Sequence, residues 1–222
     1  MAARAVVVVA EPERGRLSRW TSGTIEPLAK DRLIEAFDLT TEVFVQGSTL
    51  HKALGVDLST YRKNLRPSFE AMVAQGLSFL AMDGDRCIGA IIATDLLDTI
   101  TETPADTPVA ALTQSLTQTY LATRSPARGE ALLVDMAAVH PDAQGLGVYP
   151  ALRAALHDAA RQKGWRYVVG ELSSPATQAV VLGKMGHTKM AEIAFKDFEW
   201  NGTRPFAAIT SPPSIILAEG RL

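Results

Sequence analysis

The sequence predicts an α/β (α+β) single domain in which a mixed, mostly antiparallel sheet is flanked by helices, and three observations predict it. Residues 77–97, LSFLAMDGDRCIGAIIATDLL, are two apolar runs joined by Asp83-Gly84-Asp85, among the strongest short-range signals for a hairpin of antiparallel strands. Residues 131–172 run from an apolar strand through a glycine-bearing loop into a helix and on to a second apolar strand. Ahead of both, residues 30–76 are dominated by helical periodicity.

Taken in order, AVVVVA at 5–10 reads as a strand or arm; it is too short to span a bilayer, and Glu11, Glu13 and Arg14 are not the flanks of a signal peptide. GTIEPL at 23–28 is a short strand candidate. KDRLIEAFDLTTEVF at 30–44 places Leu33, Ile34, Phe37, Leu39 and Phe44 at roughly helical spacing. STLHKAL at 48–54 opens on Ser48 as an N-cap and ends before Gly55, and a helix over 57–76 is interrupted or kinked at Pro67. After the hairpin, 100–130 reads as an inserted helix between loops. ALLVDMAAV at 131–139 is a central strand. YPALRAALHDAARQKGW at 149–165 lines up Leu152, Ala155, Leu156, Ala159 and Ala160, tolerates Pro150 in its first turn, and stops at Gly164. WRYVVGEL at 165–172 is a buried strand, 174–185 a short helix ended by Gly186, and 188–200 a strand before Asn201-Gly202. TRPFAAITSPPSIIL supplies a closing strand and then a Pro-rich tail. The expected organisation is an arm at 1–22, one domain over 23–208 and a tail at 209–222, with PFAAITSPPSIIL able to supply a homodimer surface.

Bulk properties exclude several classes. Of 222 residues, 22 are Lys or Arg and 24 Asp or Glu, so a net charge of −2 gives no general attraction to nucleic acid or to an acidic membrane. The single Cys87 excludes an internal disulfide, and four His with no Cys pair assemble no zinc spacing from sequence neighbours, so no metal is expected. A reducing cytoplasm is the expected compartment.

The chemistry is concentrated at 139–152, VHPDAQGLGVYPAL. A strand that enters a glycine loop and then a helix presents successive backbone N–H groups, and the positive end of a helix dipole, to whatever lies at the loop. Gly145 and Gly147 permit close backbone approach, Gln144 adds an amide, and the absence of Lys followed by Ser or Thr removes the nucleoside-triphosphatase reading. Such a loop suits a pyrophosphate; it also suits a plain tight turn. Asp135 is the one charge in an apolar strand and shares a face with Ala137 and Val139, which makes it a general base, a water-chain anchor, or a paired structural carboxylate.

Residues 131–172, with Gln144, Gly147 and position 149 in the order Gln/Arg-x-x-Gly-x-Gly/Ala, resemble the acetyl-coenzyme A site of the GNAT superfamily of N-acetyltransferases, loosely the arylalkylamine type. Met185-Gly186-His187 stands where that family closes a helix with Leu-Gly-Phe, and the 77–97 hairpin where it has its second and third strands. The resemblance covers 23–208 and implies a central pair of splayed strands. It implies that the pantetheine arm lies along Ala137, Ala138 and Val139, and that the backbone of Gln144, Gly145, Leu146, Gly147, Val148 and Tyr149 holds the pyrophosphate. It further implies acyl transfer from acetyl-CoA, by direct attack, to the primary amine of a small-molecule acceptor, with Asp135 as base. The sequence departs from the pattern at Tyr149, where a small residue is usual, and at Leu182, where the family often has an acidic-proton donor, Tyr. Ser174, at the end of the fifth strand, is then the candidate acid, or else a helix N-cap. Glu171 and His51 are candidates for the acceptor pocket, or else a strand-surface carboxylate and a helix-surface imidazole. A non-catalytic acyl-CoA-binding or regulatory module of the same fold is the alternative.

Overall fold

The computed structural model describes residues 23–101 and 103–222; the expected arm at 1–22 lies outside the described residues. Seven strands form one sheet in the order β1-β2-β3-β4-β5-β7-β6. They are β1 Thr24–Pro27, β2 Phe79–Asp83, β3 Arg86–Asp95, β4 Ala131–Val139, β5 Tyr167–Leu172, β6 Thr188–Ala194 and β7 Ser214–Arg221. The helices are α1 Leu33–Gly47, α2 Thr49–Leu54, α3 Leu58–Ala74, α4 Pro108–Thr123, α5 Val148–Gln162 and α6 Pro175–Gln178, the last continued by a π-helical turn, Ala179–Lys184. No helix among the described residues is long and apolar enough to cross a membrane. The sheet is mostly antiparallel, with β4 and β5 its parallel pair.

The packing gathers into two compact units. Of the described residues, the first takes in 23–44, 58–94 and 135–163 and the second 45–57, 95–134 and 164–222, so β4 contributes Ala131–Val134 to the second and Asp135–Val139 to the first. In the first unit β1, β2 and β3 form the antiparallel meander that the Asp83-Gly84-Asp85 turn predicts, with Gly84 at φ 58°. Pairing of Met82 with Cys87 and of Ala81 with Gly89 leaves Ile88 as an extra residue, a bulge in β3. α1 and α3 cover one face through Phe37, Phe69, Met72 and Val73, packed with Leu80, Met82, Ala90, Ile92 and Met136. The Phe37 and Phe69 rings meet edge to face at 5.1 Å.

α3 runs unbroken through Pro67, where the sequence predicts an interruption or kink. A proline inside a helix costs about 3 kcal/mol. Burial of Phe69, Met72 and Val73, each contributing roughly 1.5–3 kcal/mol, offsets it.

In the second unit α4 packs Leu112, Leu116 and Tyr120 against Leu133, Val169, Leu217 and the aromatic group Phe195, Phe198 and Phe206. Here the sequence expectation needs correcting. The span 209–222 is not a tail outside the domain: Ser214–Arg221 is β7, paired along its length with β5 and β6 and buried at Ser214 through Gly220. Within PFAAITSPPSIIL, the run expected to be able to supply a dimer surface, Phe206, Ile215 and Leu217 lie inside the chain's own core. The strand follows the Pro212-Pro213 pair because proline lacks the ladder N–H and cannot sit within a central strand.

Candidate active site

The parallel ladder between β4 and β5 runs from Ala131–Tyr167 to Val134–Gly170. β4 continues for five more residues, 135–139, and these open the candidate site in the first unit. Along them exposure alternates: Met136 and Ala138 are buried, Asp135 is exposed, and Ala137 and Val139 are half-buried, as a shared face for the odd positions requires. Asp135 reaches solvent but is closely surrounded by protein, and the lost hydration lifts its carboxyl from the ordinary carboxylate range to about 6. On α3 the phenol of Tyr61 is raised above its usual value by burial and then by the negative charge of Asp135, which places the carboxylate within electrostatic reach of an un-ionised hydroxyl.

The chain leaves β4 with the His140 N–H donating to the Ile88 carbonyl at 2.9 Å, and a short turn at Pro141–Ala143 follows. Arg86 brackets this turn from the hairpin, 2.9 Å from His140 Nε2 and 3.4 Å from Asp142. Gln144 turns back, its Nε2 donating to the Val139 carbonyl at 3.3 Å, so its side chain braces the strand end. Gly145 and Gly147 adopt φ of 76° and 94°, the left-handed conformation that an L side chain strains to reach. Gly147 is the N-cap of α5 and has no side chain with which to cap it. The first intrahelical bond runs from the Ala151 N–H to the Gly147 carbonyl at 3.1 Å, and Pro150 has no N–H. The first-turn donors are thus the N–H groups of Val148 and Tyr149, standing at the positive end of a fifteen-residue helix.

Gly89 sets how close that helix comes. A Cβ there would lie 2.8 Å from Val148 Cγ1 and 3.1 Å from Leu152 Cδ1, so only glycine lets the first turns of α5 seat against β3. Below the first turn, Arg153 is fully buried and lies under Tyr149, with the guanidinium carbon 5.8 Å from the ring centroid. Sequence reasoning missed Gly89, Tyr61 and Arg153. The one signal for any of them is Arg153 itself, a charge four residues beyond Tyr149 in a helix otherwise read as an Ala/Leu face.

The remaining candidates fall in the second unit. Ser174 is the N-cap of α6: its Oγ accepts from the Thr177 N–H at 3.1 Å and lies 2.9 Å from Thr177 Oγ1. Glu171 is half-buried in β5. His51 is not on a helix surface; it is buried in α2 beside Leu50, and desolvation lowers its pKa, so it stays neutral at pH 7. Leu182 is in the π-helical turn. Burial pushes the Cys87 thiol of the first unit up to about 12, which removes it as a nucleophile near neutral pH.

The arrangement in the first unit can do two things: hold an anion on uncapped backbone N–H groups, and accept a proton near neutrality at Asp135. No protein-family model matches the chain, and no curated protein matches it in sequence. Solved structures do match its fold. The C-terminal condensation domain of Ebony, solved in complex with beta-alanyl-dopamine, superposes with a TM-score of 0.78 at 17% identity, over 90% of this chain and 99% of that one. A mosquito arylalkylamine N-acetyltransferase, like 5b, gives 0.75 at 18% identity over 90% and 100%. A putative acetyltransferase from Salmonella typhimurium, yncA with its cofactor acetyl-CoA, gives 0.52 at 14% identity over 90% and 94%. The chain has the GNAT fold, in a form similar to that of the arylalkylamine N-acetyltransferases.

Proposed function

We propose that the chain is an acetyl-CoA-dependent N-acetyltransferase acting on the primary amine of a small-molecule acceptor. One observation carries this reading: the strand that bears Asp135 runs directly into the uncapped, left-handed glycine turn of α5, so a proton acceptor and an anion cradle share one strand–loop–helix. The matched folds include N-acetyltransferases and a domain solved with an acylated amine. The N–H groups of Val148 and Tyr149 and the turn at Gly145 and Gly147 would hold the donor's pyrophosphate, and residues 137–139 would lie along its pantetheine arm. When bound, the donor supplies a thioester carbonyl. Asp135 takes a proton from the acceptor ammonium, directly or through water, and frees the lone pair. The freed amine would attack the thioester carbonyl, forming the C–N bond as the C–S bond breaks, and the second amine proton would pass to the departing thiolate.

A base with a carboxyl near 6 must be ionised to act, so turnover rises with pH through about 6 and levels above it. Asp135→Asn is expected to lower kcat/KM by about a hundredfold or more, a typical contribution for a positioned proton acceptor, and to abolish that rise. Thiol release against a panel of arylalkylamines, agmatine and polyamines tests the reaction, and a melting shift with acetyl-CoA tests the donor. A shift without thiol release from any amine would leave a binding protein; no shift at saturating acetyl-CoA would remove the reading altogether.

A further inference from the structure

Arg153 has all three guanidinium nitrogens buried, and among the described residues none of them has a hydrogen-bond partner. A guanidinium offers five N–H donors, and one withdrawn from water with none of them met is costly unless a partner arrives. Burial lowers its pKa, opposed among the described residues by an interaction with Tyr149 and by no carboxylate. Its position shows where a partner would come from. Side chains on a helix lean toward its N-terminus, which carries the Arg153 head group from the second turn of α5 up to the first, against the Tyr149 ring at 5.8 Å. That first turn is where no side chain caps the helix and where Gly147 stands left-handed at φ 94°. Two independent features, an uncapped helix start and a buried unpartnered cation directed toward it, call for the same ligand chemistry.

We propose that Arg153 is the buried counter-charge for a phosphate group held at the first turn of α5, reached past the edge of Tyr149, and that it makes the site selective for phosphate-bearing acyl donors over bare pantetheine thioesters. This rests on the reading of the loop as a pyrophosphate holder. A planar guanidinium matches phosphate oxygens two at a time, a geometry that neither backbone N–H groups nor a lysine reproduces.

Titration calorimetry with inorganic pyrophosphate, CoA and pantetheine, on the parent and on Arg153→Met, tests the assignment. The parent binds pyrophosphate and CoA, and Arg153→Met weakens both by about tenfold to a hundredfold, the range for a charge-assisted contact. Its affinity for pantetheine stays at the parental value. The unliganded variant also melts higher than the parent, because an unpaired buried charge has been replaced by an apolar chain of similar length. Arg153→Gln, neutral and polar, repeats the comparison if the Met form does not fold. Parental affinity for pyrophosphate and CoA in either folded variant overturns the proposal, as does an equal loss for pantetheine, and as does a parent that binds neither anion. Failure of the acetyltransferase reading looks different: pyrophosphate binding that depends on Arg153 persists while no amine gives thiol release.

Discussion

Glu219 in the second unit and Arg153 in the first are both charged side chains taken almost wholly out of water, and the chain treats them in opposite ways. Glu219 is met on both oxygens: the Tyr120 hydroxyl donates to Oε2 at 2.6 Å and Arg124 Nη2 to Oε1 at 2.9 Å. Burial, and then this bond to the carboxylate, raise the Tyr120 phenol, so it remains a donor. Arg124 in turn lies over the Tyr167 ring at 5.7 Å. A charge so enclosed is part of the scaffold. Arg153 has no acceptor among the described residues and stands beside the Tyr149 ring. The difference teaches where binding is to be sought: in the unit that leaves a buried charge unanswered.

The largest effect that sharpens this contrast is expected at Glu219. Glu219→Ala strands the Tyr120 hydroxyl and breaks the Arg124 pair, at a cost of about 3 kcal/mol. For a chain of this size that is a fall of roughly 6–12 °C in melting temperature. Pyrophosphate affinity, measured well below the transition, stays parental. The sign is the reverse of that expected for Arg153→Met, which gains melting temperature and loses affinity. If both variants moved in the same direction on both readouts, the distinction between scaffold charge and ligand charge would collapse.

Two glycines extend the comparison at a smaller scale. A Cβ at Gly89 would press on Val148 and Leu152, and one at Gly220 would fall within the His187 ring, 2.3 Å from Nε2. Both Gly→Ala changes are expected to cost about 2 kcal/mol by overpacking. Only Gly89→Ala moves the first turn of α5, so only it should also weaken CoA binding, by a few fold in calorimetry. Equal CoA affinity in the two variants would mean that the seating of α5 does not set the anion site.

Much of this architecture is legible in the amino-acid sequence alone. The Asp83-Gly84-Asp85 turn, the caps at Ser48 and Ser174, and the strand–loop–helix at 131–162 follow from local rules in which turn chemistry and periodicity agree. β7 escapes such rules because its apolar run is short and follows a proline pair; its strand state comes from neighbours β5 and β6, which are distant in sequence. Pro67 misleads for the same reason, since tertiary burial of Phe69 and Met72 outweighs a local penalty. At the site, the glycines and Asp135 are visible as residue types in a pattern. The burial of His51 and of Arg153 is not, because a helical periodicity names a face and says nothing of what else closes over it.

The smallest expected effect concerns Ser174, where one hydroxyl is open to two roles. Its Oγ accepts from the Thr177 N–H at 3.1 Å, which satisfies one of the donors at the start of α6. Ser174→Ala should therefore lower stability by about 1 kcal/mol, or roughly 2–4 °C, and Ser174→Asp, which can accept the same bond, should restore it. A cap is a matter of acceptor geometry, so the Asp variant should also recover whatever thiol release the Ala variant loses through loosening of α6. If stability returned with Asp while thiol release did not, the hydroxyl proton would be needed for the reaction.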